Sequence, residues 1–513
     1  ATGSSRSDVY LAKYNSTGSI IWASRGIGND GQEATAVAVD PAGNVFITGI
    51  LRGTMKLGAV NLVSAGVDDM FMAKFDADGN VLWARRAGGS GYDQGNGVAA
   101  DAAGNVYVTG WFSGSADFDG IGLSSSGPND AFIAKYSGSG TLLWVRSAGG
   151  PSSDLANDVA LGLDGGPQIT GSFSDTATFG GTNLTSRGDT DVFVAKWNSS
   201  GDPLWAVSGG STNADFGNSI AVDGTGSACV IGKVGGAAHF GSENTSTSGV
   251  FLAKYDTNGN LSWVAQGGAP STMGLGIACD SNNEIYATGY FDGTVTFQTT
   301  NLVSMGNIDA FVVKYGSAGS MLWAQSAGGA GLDRGYGVAV DHEGRAIVGC
   351  QFSGQASFGT QQVTSIGGGD IFVAKYEPAG GLAWLRQAGG GAKHYGLAVA
   401  ANADSIFIAG AYHCSIVFDK AQLASSGYYN AFLAKYDAEG KAIWARSAGG
   451  LGNTLAYAVV ADAQGSSYVA GQFAFTSTFG SIPLTSAGGY DIFITKYSPA
   501  GSASWAVRAG GSL

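Results

Sequence analysis

A lysine recurs along this sequence at nearly constant spacing, and this repeated cationic side chain is the first feature that could do chemistry. Each lysine lies in a phrase of the type Asp-x-Phe-x-Ala-Lys-Tyr, as in Asp130–Tyr136, and a tryptophan follows nine residues later. The lysines are Lys13, Lys74, Lys135, Lys196, Lys254, Lys314, Lys375, Lys435 and Lys496. The tryptophans are Trp22, Trp83, Trp144, Trp205, Trp263, Trp323, Trp384, Trp444 and Trp505.

Equivalent lysines in every repeat favour a structural role over a catalytic one. An aspartate lies five residues before most of these lysines. A second aspartate ends an upstream phrase of the type Gly-Val-Ala-Val-Asp. For Lys135 the two are Asp130 and Asp101. A buried charge is costly unless it is paired. We therefore expect each lysine to pair with one of its two aspartates, and we interpret the tryptophans as structural.

The sequence predicts no catalytic, cofactor-binding or metal site. The histidines His239, His342, His394 and His413 have no metal-ligand spacing and lie in no nucleophile elbow, although His394 and His413 share one repeat. The turn Asp76-Ala-Asp-Gly-Asn80 is the nearest match to a calcium loop, but it lacks the third ligand and the distal glutamate. Binding of Ca²⁺ at such turns is the weaker alternative.

The four cysteines occupy different places within the repeat, and none forms a Cys-x-x-Cys pair. They are Cys229, Cys279, Cys350 and Cys414. Because no disulfide position recurs, we expect free thiols that pack as small apolar groups.

The segments that vary most between repeats hold the candidate ligand-binding residues. They carry carboxylates, amides and aromatic rings, which suit a sugar or peptide ligand through hydrogen bonds and stacking. Solvated turns without a ligand are the alternative. The candidates are Tyr92, Asp93, Asn96, Asp154, Asn157, Asp215, Phe216, Asp333, Arg334, Tyr336, Lys393, His394 and Tyr395.

Each repeat predicts four β-strands. Phrases such as Val106–Gly110 and Phe132–Tyr136 are β-branched and aromatic runs of strand length. Asp, Gly and Asn between them favour turns, and no segment shows helical periodicity. We name the strands a, b, c and d in chain order, with the tryptophan on strand d, and we expect a small extra hairpin between b and c. The candidate ligand-binding segments are then the d–a loops.

Stacking of such sheets predicts an all-β fold, a closed β-propeller of eight four-stranded blades. A lone sheet exposes two apolar faces, which neighbouring sheets bury, and closing the ring removes exposed ends. A β-solenoid is the alternative, but solenoid rungs are usually shorter. The approximate blades are residues 27–87, 88–148, 149–208, 209–266, 267–327, 328–388, 389–448 and 449–513.

One c–d hairpin is surplus, because the sequence contains nine c–d phrases and eight a–b phrases. The surplus hairpin lies in residues 1–26. Three interpretations stay open: the chain is a fragment of a longer array, the hairpin docks at the edge of a blade, or residues 8–25 add to the sheet of a neighbouring molecule.

The repeated phrases resemble the bacterial β-propeller repeats called SBBP repeats. The resemblance rests on Asp-x-Phe-x-Ala-Lys-Tyr, the spaced tryptophan and Val-Asp-x-x-Gly-Asn-x-Tyr-Val-Thr-Gly, and it covers residues 8–511. It implies the propeller fold and an exported bacterial context. It implies little about activity, because propellers carry many functions.

Composition argues against several kinds of partner. The 513 residues carry a net charge of −13, and only 13% of them are charged, which disfavours binding to nucleic acid. No apolar run is long enough for a transmembrane helix, so membrane insertion is not expected. The first residues lack the pattern of an export signal, which is typical of a mature or trimmed start.

Together these features predict a non-enzymatic binding or scaffold protein, secreted or on the cell surface, that contacts a protein or glycan partner through its d–a loops. A structural subunit of a filament or surface layer, linked through the surplus hairpin, is the alternative. A polysaccharide-active enzyme comes third, because near-uniform repeats spread titratable groups evenly instead of gathering them in one pocket.

Overall fold

A computed structural model describes the chain as antiparallel β-sheet with short turns between the strands. The described residues are 10–14, 20–28, 32–40, 42, 44–57, 59–76, 80–268, 271–341, 343–359, 361–392, 394–401, 405–450, 452–461, 467–498, 500 and 502–509. Within these ranges no helix is long and apolar enough to cross a bilayer.

The strands are numbered β1 to β44 along the described chain. The first are β1 (Tyr10–Tyr14), β2 (Ile20–Gly28), β3 (Glu33–Val39), β4 (Val45–Leu51), β5 (Thr54–Leu57), β6 (Val60–Val63), β7 (Asp69–Phe75), β8 (Val81–Gly89), β9 (Asp93–Ala100), β10 (Val106–Phe112), β11 (Ser115–Phe118), β12 (Ile121–Ser124), β13 (Asp130–Tyr136), β14 (Leu142–Gly149) and β15 (Leu155–Leu161). Next are β16 (Pro167–Phe179), β17 (Thr182–Trp197), β18 (Pro203–Gly210), β19 (Phe216–Val222), β20 (Ala228–Val234), β21 (His239–Phe240), β22 (Glu243–Asn244), β23 (Gly249–Tyr255), β24 (Leu261–Gly268), β25 (Met273–Cys279), β26 (Ile285–Phe291), β27 (Thr294–Phe297), β28 (Thr300–Val303), β29 (Asp309–Tyr315) and β30 (Met321–Gly329). The last are β31 (Arg334–Val340), β32 (Ala346–Phe352), β33 (Gln355–Phe358), β34 (Gln361–Thr364), β35 (Asp370–Tyr376), β36 (Leu382–Gly389), β37 (His394–Ala401), β38 (Ser405–Phe418), β39 (Ala421–Asp437), β40 (Ala442–Gly450), β41 (Thr454–Ala461), β42 (Ser467–Phe479), β43 (Ile482–Tyr497) and β44 (Ala503–Ala509).

Each repeat folds as an antiparallel meander in the order a-b-c-d. In repeat 2, Val106 of β10 pairs with Ala100 of β9 on one side and with Tyr136 of β13 on the other. Because successive strands run in opposite directions, the a–b and c–d turns lie at one end of the sheet and the d–a turns at the other. Repeats 1 to 8 comprise β3–β8, β9–β14, β15–β18, β19–β24, β25–β30, β31–β36, β37–β40 and β41–β44.

The hairpin inserted between strands b and c extends the sheet of the preceding repeat. In repeat 2, Ala116 of β11 pairs with Gly89 of β8, and Phe118 pairs with Ala87. In the same way, strand d of each of repeats 1 to 7 pairs with the inserted hairpin of the following repeat. Each of these sheets therefore gains two outer strands from the next repeat, which ties neighbouring sheets together through backbone hydrogen bonds.

The N-terminal hairpin β1–β2 receives the insert of repeat 1 in the same way. β2 pairs with β5, and the sheet order is β1-β2-β5-β6. Lys13 stands opposite Trp22 in the register that Lys135 and Trp144 have in repeat 2, so β1 and β2 form a c–d pair. Strands β1 and β2 contact β43 and β44 of repeat 8, so the first and last described hairpins are neighbours.

The core of the described chain is a series of apolar clusters, and all but one of them are shared by neighbouring repeats. One cluster joins Met72 and Trp83 of repeat 1 to Val108 and Phe132 of repeat 2. Consecutive a strands contact one another, for example β9 with β15, and their small and β-branched residues suit this close approach. The predicted all-β class is confirmed, and the stacked antiparallel sheets are propeller-like.

Candidate functional site

The recurring lysines whose side chains the structure describes are buried, and six of them pair with acids near the a–b turn of their own repeat. The Nζ of Lys254 lies 2.6 Å from Oδ2 of Asp223, and that of Lys375 lies 2.9 Å from Oδ2 of Asp341. These acids lie at the end of strand a, so it is this second aspartate, and not the one on strand c, that holds the ammonium group. Further pairs are Lys74 with Asp40 and Lys135 with Asp101, each at 3.9 Å.

Two repeats use a different acid in this pair. In repeat 3, Gly162 stands where the acid is expected, and Lys196 contacts Asp164 at 2.8 Å. In repeat 5, Lys314 contacts Glu284 at 2.5 Å. A carboxylate within reach of the ammonium group is therefore kept even where its position in the turn changes. The side chains of Lys13, Lys496, Trp22 and Trp505 lie outside the described residues.

Lysine and tryptophan together hold the c–d turn of the next repeat. The Nζ of Lys314 and the Nε1 of Trp323 both donate to the carbonyl oxygen of Pro378, at 3.2 and 3.0 Å. Gly380 of that turn has a φ of +86°, and a Cβ built there would lie 2.5 Å from Cγ of Trp323. Repeats 2, 4 and 6 form the same shared bond, on the carbonyls of Ser199, Ser317 and Ala438. These contacts serve the assembly of the sheets and leave the groups unable to reach a ligand.

A second buried feature is a pair of carboxyl groups beneath the d–a turn. In repeat 5, Asp309 begins strand c, and its Oδ2 accepts the N–H of Met305 at 3.1 Å. Asp333 follows strand d, and its two oxygens accept the N–H groups of Gly329 and Ser353, each at 2.9 Å. Oδ1 of Asp309 is buried and has no hydrogen-bond partner among the described residues.

Burial raises the pKa of Asp309 to about 6 and that of Asp333 to about 7, and repulsion from Asp309 adds to the second shift. We infer that the pair shares one proton, since an O–H on Asp333 would satisfy the otherwise orphaned Oδ1 of Asp309. The equivalent pairs are Asp69 with Asp93, Asp130 with Asp154, and Asp191 with Asp215. Burial raises the pKa to about 6 for Asp93 and to about 7 for Asp154 and Asp191.

Both positions of this pair are replaced together in two repeats. Where Gly249 replaces the first aspartate, Thr272 replaces the second, and Thr454 likewise accompanies Asn430. The joint replacement is therefore consistent with direct contact between the two carboxyl groups.

Repeat 6 keeps the first aspartate, Asp370, and replaces the second with His394. The Nε2 of His394 lies 3.9 Å from Oδ1 of Asp370, and the backbone N–H of His413 donates to its Nδ1 at 3.4 Å. Burial lowers the pKa of His394 to about 4, so the ring is neutral at pH 7. The two histidines thus lie side by side, but the described residues contain no cluster of three metal-ligating side chains.

The aspartates of the tight turns bond within their own turn. Oδ1 of Asp76 accepts the N–H of Asn80 at 2.9 Å, and its Oδ2 accepts the Asn80 Nδ2–H at 2.8 Å. Asp101 is bonded in the same way to Asn105. These bonds account for the recurring Asp-x-x-Gly-Asn phrase as a turn. Asp78, like His342, lies outside the described residues.

The predicted ligand-binding side chains lie at two depths in the structure. The carboxyl and imidazole groups among them are buried, because they accept backbone N–H groups beneath the d–a turn. Asn96 and Asn157 donate instead to the carbonyls of Ala156 and Gly217 in the next repeat, at 2.8 and 2.9 Å. Lys393 lies outside the described residues. The buried candidates are Asp93, Asp154, Asp215, Asp333 and His394.

The remaining candidates are mainly aromatic and lie at the d–a end of the sheets. Tyr92 is 53% exposed and Phe216 is 38% exposed. Arg334 is half-buried, and its guanidinium group lies 5.3 Å from the ring centroid of Tyr290. The other two are Tyr336, half-buried, and Tyr395, whose ring centroid is 5.7 Å from that of Tyr429.

Three further aromatic residues at this end were not predicted from the sequence. Trp111 and Tyr290 are half-buried at the penultimate position of strand b, where they pair with the start of strand a. Tyr429 contacts both Tyr395 and His413. The signal that could have found the first two is variation between repeats, since Gln472 and Ala411 stand at the same strand position.

Comparison with known proteins agrees with the repeat architecture. Residues 82–118 match the family described as β-propeller repeat, SBBP. The chain is 24% identical over 441 residues to an uncharacterised WD repeat-containing protein of Acanthamoeba polyphaga mimivirus, covering 68% of this chain and 31% of that protein. It is 28% identical over 308 residues to the regulatory protein FlaEY of Caulobacter vibrioides, covering 55% of this chain and 32% of that protein. The chain thus spans about a third of the length of these curated relatives.

Among solved structures, a eukaryotic initiation factor aligns over 98% of this chain and 97% of its own, with 8% identity and a TM-score of 0.46. A polysaccharide lyase, an ulvan lyase of family PL25, aligns over 72% of this chain and 88% of its own, with 11% identity and a TM-score of 0.32. The matched residues 82–118 run from strand d of repeat 1 into the insert of repeat 2, and the same pattern recurs along the chain. Residues 82–118 are therefore a β-propeller repeat of the SBBP type.

Proposed function

We propose that this protein is a non-enzymatic binding module that holds a protein or glycan partner against the d–a end of its sheets. The observation that carries the proposal is the contrast between the two ends. Every c–d turn keeps a glycine five residues after the lysine, whereas the d–a end differs from repeat to repeat and exposes aromatic rings such as Tyr92 and Phe216. Exposed rings on a rigid sheet stack on sugars or pack on apolar protein side chains with little loss of conformational entropy.

Binding is favoured over catalysis because of where the titratable groups lie. The carboxyls with raised pKa, such as Asp154 and Asp333, are fully buried and bonded to backbone N–H groups. A general acid or base must reach the proton that it transfers, so these groups are unsuited to act on a bound substrate. We propose that their role is structural.

We further propose that the eight repeats close into a ring, with the N-terminal hairpin between repeats 8 and 1. The contact of β1 and β2 with β43 and β44 supports this arrangement. Electron microscopy of the purified protein tests it: class averages of a closed disc are expected, and an open spiral would contradict it.

The proposed location is outside the cell or on its surface. The SBBP repeats support this through the exported context that the resemblance implies. Fractionation of the producing organism with an antibody against the protein tests it. Recovery in the medium or the envelope fraction is expected, and recovery with cytosolic markers alone would contradict it.

The binding proposal is tested with the double variant Tyr92→Ala/Phe216→Ala. Labelled protein is applied to a glycan microarray and, in parallel, to envelope proteins of the producing organism. We expect saturable binding to one of them, weakened at least tenfold in the double variant. The matched control is Leu143→Ala, which removes a side chain of similar exposure, 50%, at the c–d end.

Equal binding by the wild-type protein and the double variant would contradict the use of this face, as would the absence of binding in both arms. Each glycan that binds is then incubated with the protein and examined for cleavage. Intact glycan is expected. Cleavage products would support a polysaccharide-active enzyme instead.

Self-association is the second candidate function, and one observation favours it. In the described chain β1 pairs only with β2, although every full repeat pairs its c strand on both sides. The free edge of β1 stands where a strand b would add, so it could accept a strand from a second copy. Light scattering at high concentration tests this: assembly is expected, and it is lost on deleting residues 1–26. A strict monomer, both for the full chain and after the deletion, would contradict self-association.

A further inference from the structure

One position of strand b links each of several repeats to its successor. In repeat 2, the Tyr107 hydroxyl donates to the carbonyl of Gly165 in the a–b turn of repeat 3, at 2.8 Å. In repeat 3, Gln168 at the same position donates to Gly226 of repeat 4, at 3.2 Å. In repeat 5, Tyr286 donates to Gly344 of repeat 6, at 2.6 Å. A long polar side chain at this position thus bridges adjacent sheets.

Repeat 4 has a cysteine at this position. Cys229 is the second residue of β20, as Tyr107 is of β10 and Tyr286 is of β26. A cysteine is too short to make the bond that the tyrosines make to the next a–b turn. The residue that ends strand a in the following repeat is also exceptional, because Cys279 replaces the Leu161 and Val340 found at its equivalents.

The two cysteines meet across the interface between repeats 4 and 5. Strand β20 contacts strand β25, and Cys279 packs against the apolar cluster that contains Cys229. Cys229 is fully buried, and Cys279 is partly exposed; both are free thiols. Tyr107 and Leu161, at the equivalent positions, likewise belong to one apolar cluster shared by repeats 2 and 3. The cysteines therefore replace both members of one facing pair.

We propose that Cys229 and Cys279 form a reversible disulfide bond that staples repeat 4 to repeat 5. The observation that carries the proposal is that two cysteines occupy facing positions across this interface. At no other interface between repeats are both of these positions cysteine. A covalent bond there would replace the tyrosine–carbonyl link of other repeats. Disulfides bridge side chains on adjacent elements when their Cα atoms approach within about 7 Å, and β20 and β25 are neighbouring strands.

Disulfide formation takes two steps, and the exposure of the two thiols sets which cysteine reacts first. The contact with Cys279 and burial raise the pKa of the Cys229 thiol well above its usual value, so Cys229 is the poorer initial nucleophile. The more accessible Cys279 thiolate attacks one sulfur of a small disulfide such as oxidised glutathione. The S–S bond of the reagent breaks, and one thiol leaves with the proton that Cys279 has lost.

In the second step Cys229 gives up its proton and attacks Sγ of Cys279. The mixed disulfide breaks, and the second glutathione leaves as a thiol. The protein has then lost two electrons and two protons to the reagent, and its two sulfurs are joined. An oxidising compartment supplies reagents of this class.

The test is peptide mapping of the full chain after incubation with oxidised glutathione and alkylation of the remaining thiols. Trypsin cleaves after Lys233 and Lys254, so the two cysteines fall in separate peptides. We expect one linked pair of peptides that separates on reduction, together with the loss of two titratable thiols. A redox midpoint follows from repeating the experiment over a series of glutathione ratios.

Cys414→Ser is the matched control, because it removes an exposed thiol and should leave the linked peptides unchanged. Cys279→Ala should abolish them and keep one more titratable thiol. Recovery of Cys229 and Cys279 as alkylated thiols in the oxidised wild-type protein would overturn the proposal. So would a bond from either of them to Cys350 or Cys414. The mapping needs no variant, so it stands even if a substitution impairs folding.

Discussion

The buried carboxyl pair of Asp309 and Asp333 predicts how the free energy of unfolding depends on pH. In the folded protein burial and mutual repulsion raise the pKa of Asp333 from the usual 3.8 to about 7. The folded state therefore keeps a proton between about pH 4 and pH 7 that the unfolded chain releases. Because the folded state binds more protons in this window, the free energy of unfolding falls as pH rises through it.

The size of the effect follows from the same pKa value. A rise from 3.8 to about 7 corresponds to about 4 kcal/mol at most. Relaxation around the charged pair reduces this, and we expect about 2 kcal/mol per pair between pH 5 and pH 8. The perturbation is Asp309→Asn, which supplies an N–H donor to Asp333 and removes the negative charge opposite it.

Urea unfolding followed by tryptophan fluorescence at pH 5, 6, 7 and 8 measures the effect. The wild-type protein is expected to lose stability across this range, and the variant is expected to lose less, by up to about 1.4 kcal/mol per pH unit for one proton. The matched control is Asp117→Asn, whose side chain is exposed, and this variant should keep the wild-type slope. Equal slopes in the wild-type protein and Asp309→Asn, with both folded, would refute a shared proton.

The buried groups of the repeats give three further predictions, each measured by urea or thermal unfolding. Gly380→Ala places a Cβ against the Trp323 ring and should lower the free energy of unfolding by at least about 2 kcal/mol. The control Gly354→Ala, with a similar φ of +75° and no neighbour within 4 Å, should lower it by about 1 kcal/mol. Equal losses would contradict the packing of Gly380 on Trp323. Trp323→Ala should cost about 3 to 5 kcal/mol, and a cost below 1 kcal/mol would contradict its place in the core. Lys254→Met leaves the carboxylate of Asp223 buried without its partner and should cost about 3 kcal/mol; Asp223→Asn in the same chain should recover part of this loss, and no recovery would contradict the ion pair.

Features that depend on neighbouring residues were predictable from the sequence. Strand phrases such as Val106–Gly110 and the Asp-x-x-Gly-Asn turns form the predicted elements, because alternation and turn formers act over a few residues. The choice between the two aspartates near each lysine could not be made in this way. It depends on which acid comes within reach of the ammonium group after strands a and c have been brought into one sheet.

The candidate ligand face was predicted only in part, for a related reason. Asp154 and Asp333 lie in variable, polar segments of the kind that is usually exposed. The structure buries them because backbone N–H groups twenty residues further along, at Ser174 and Ser353, need an acceptor there. The aromatic residues Tyr92 and Phe216 of such segments lie nearer the surface.

The sequence by itself determined the strands, the turns and the sixty-residue period, since these follow from local propensity and from repetition. Only the tertiary structure decided that each inserted hairpin adds to the sheet before it, as β11 adds to β8. It also decided that Cys229 faces Cys279 and that Asp309 lies near Asp333. The physical reason is that these contacts join residues about twenty to fifty positions apart in the chain. Strand propensity is local, so it does not specify which strand edges pair or which sheet faces pack together.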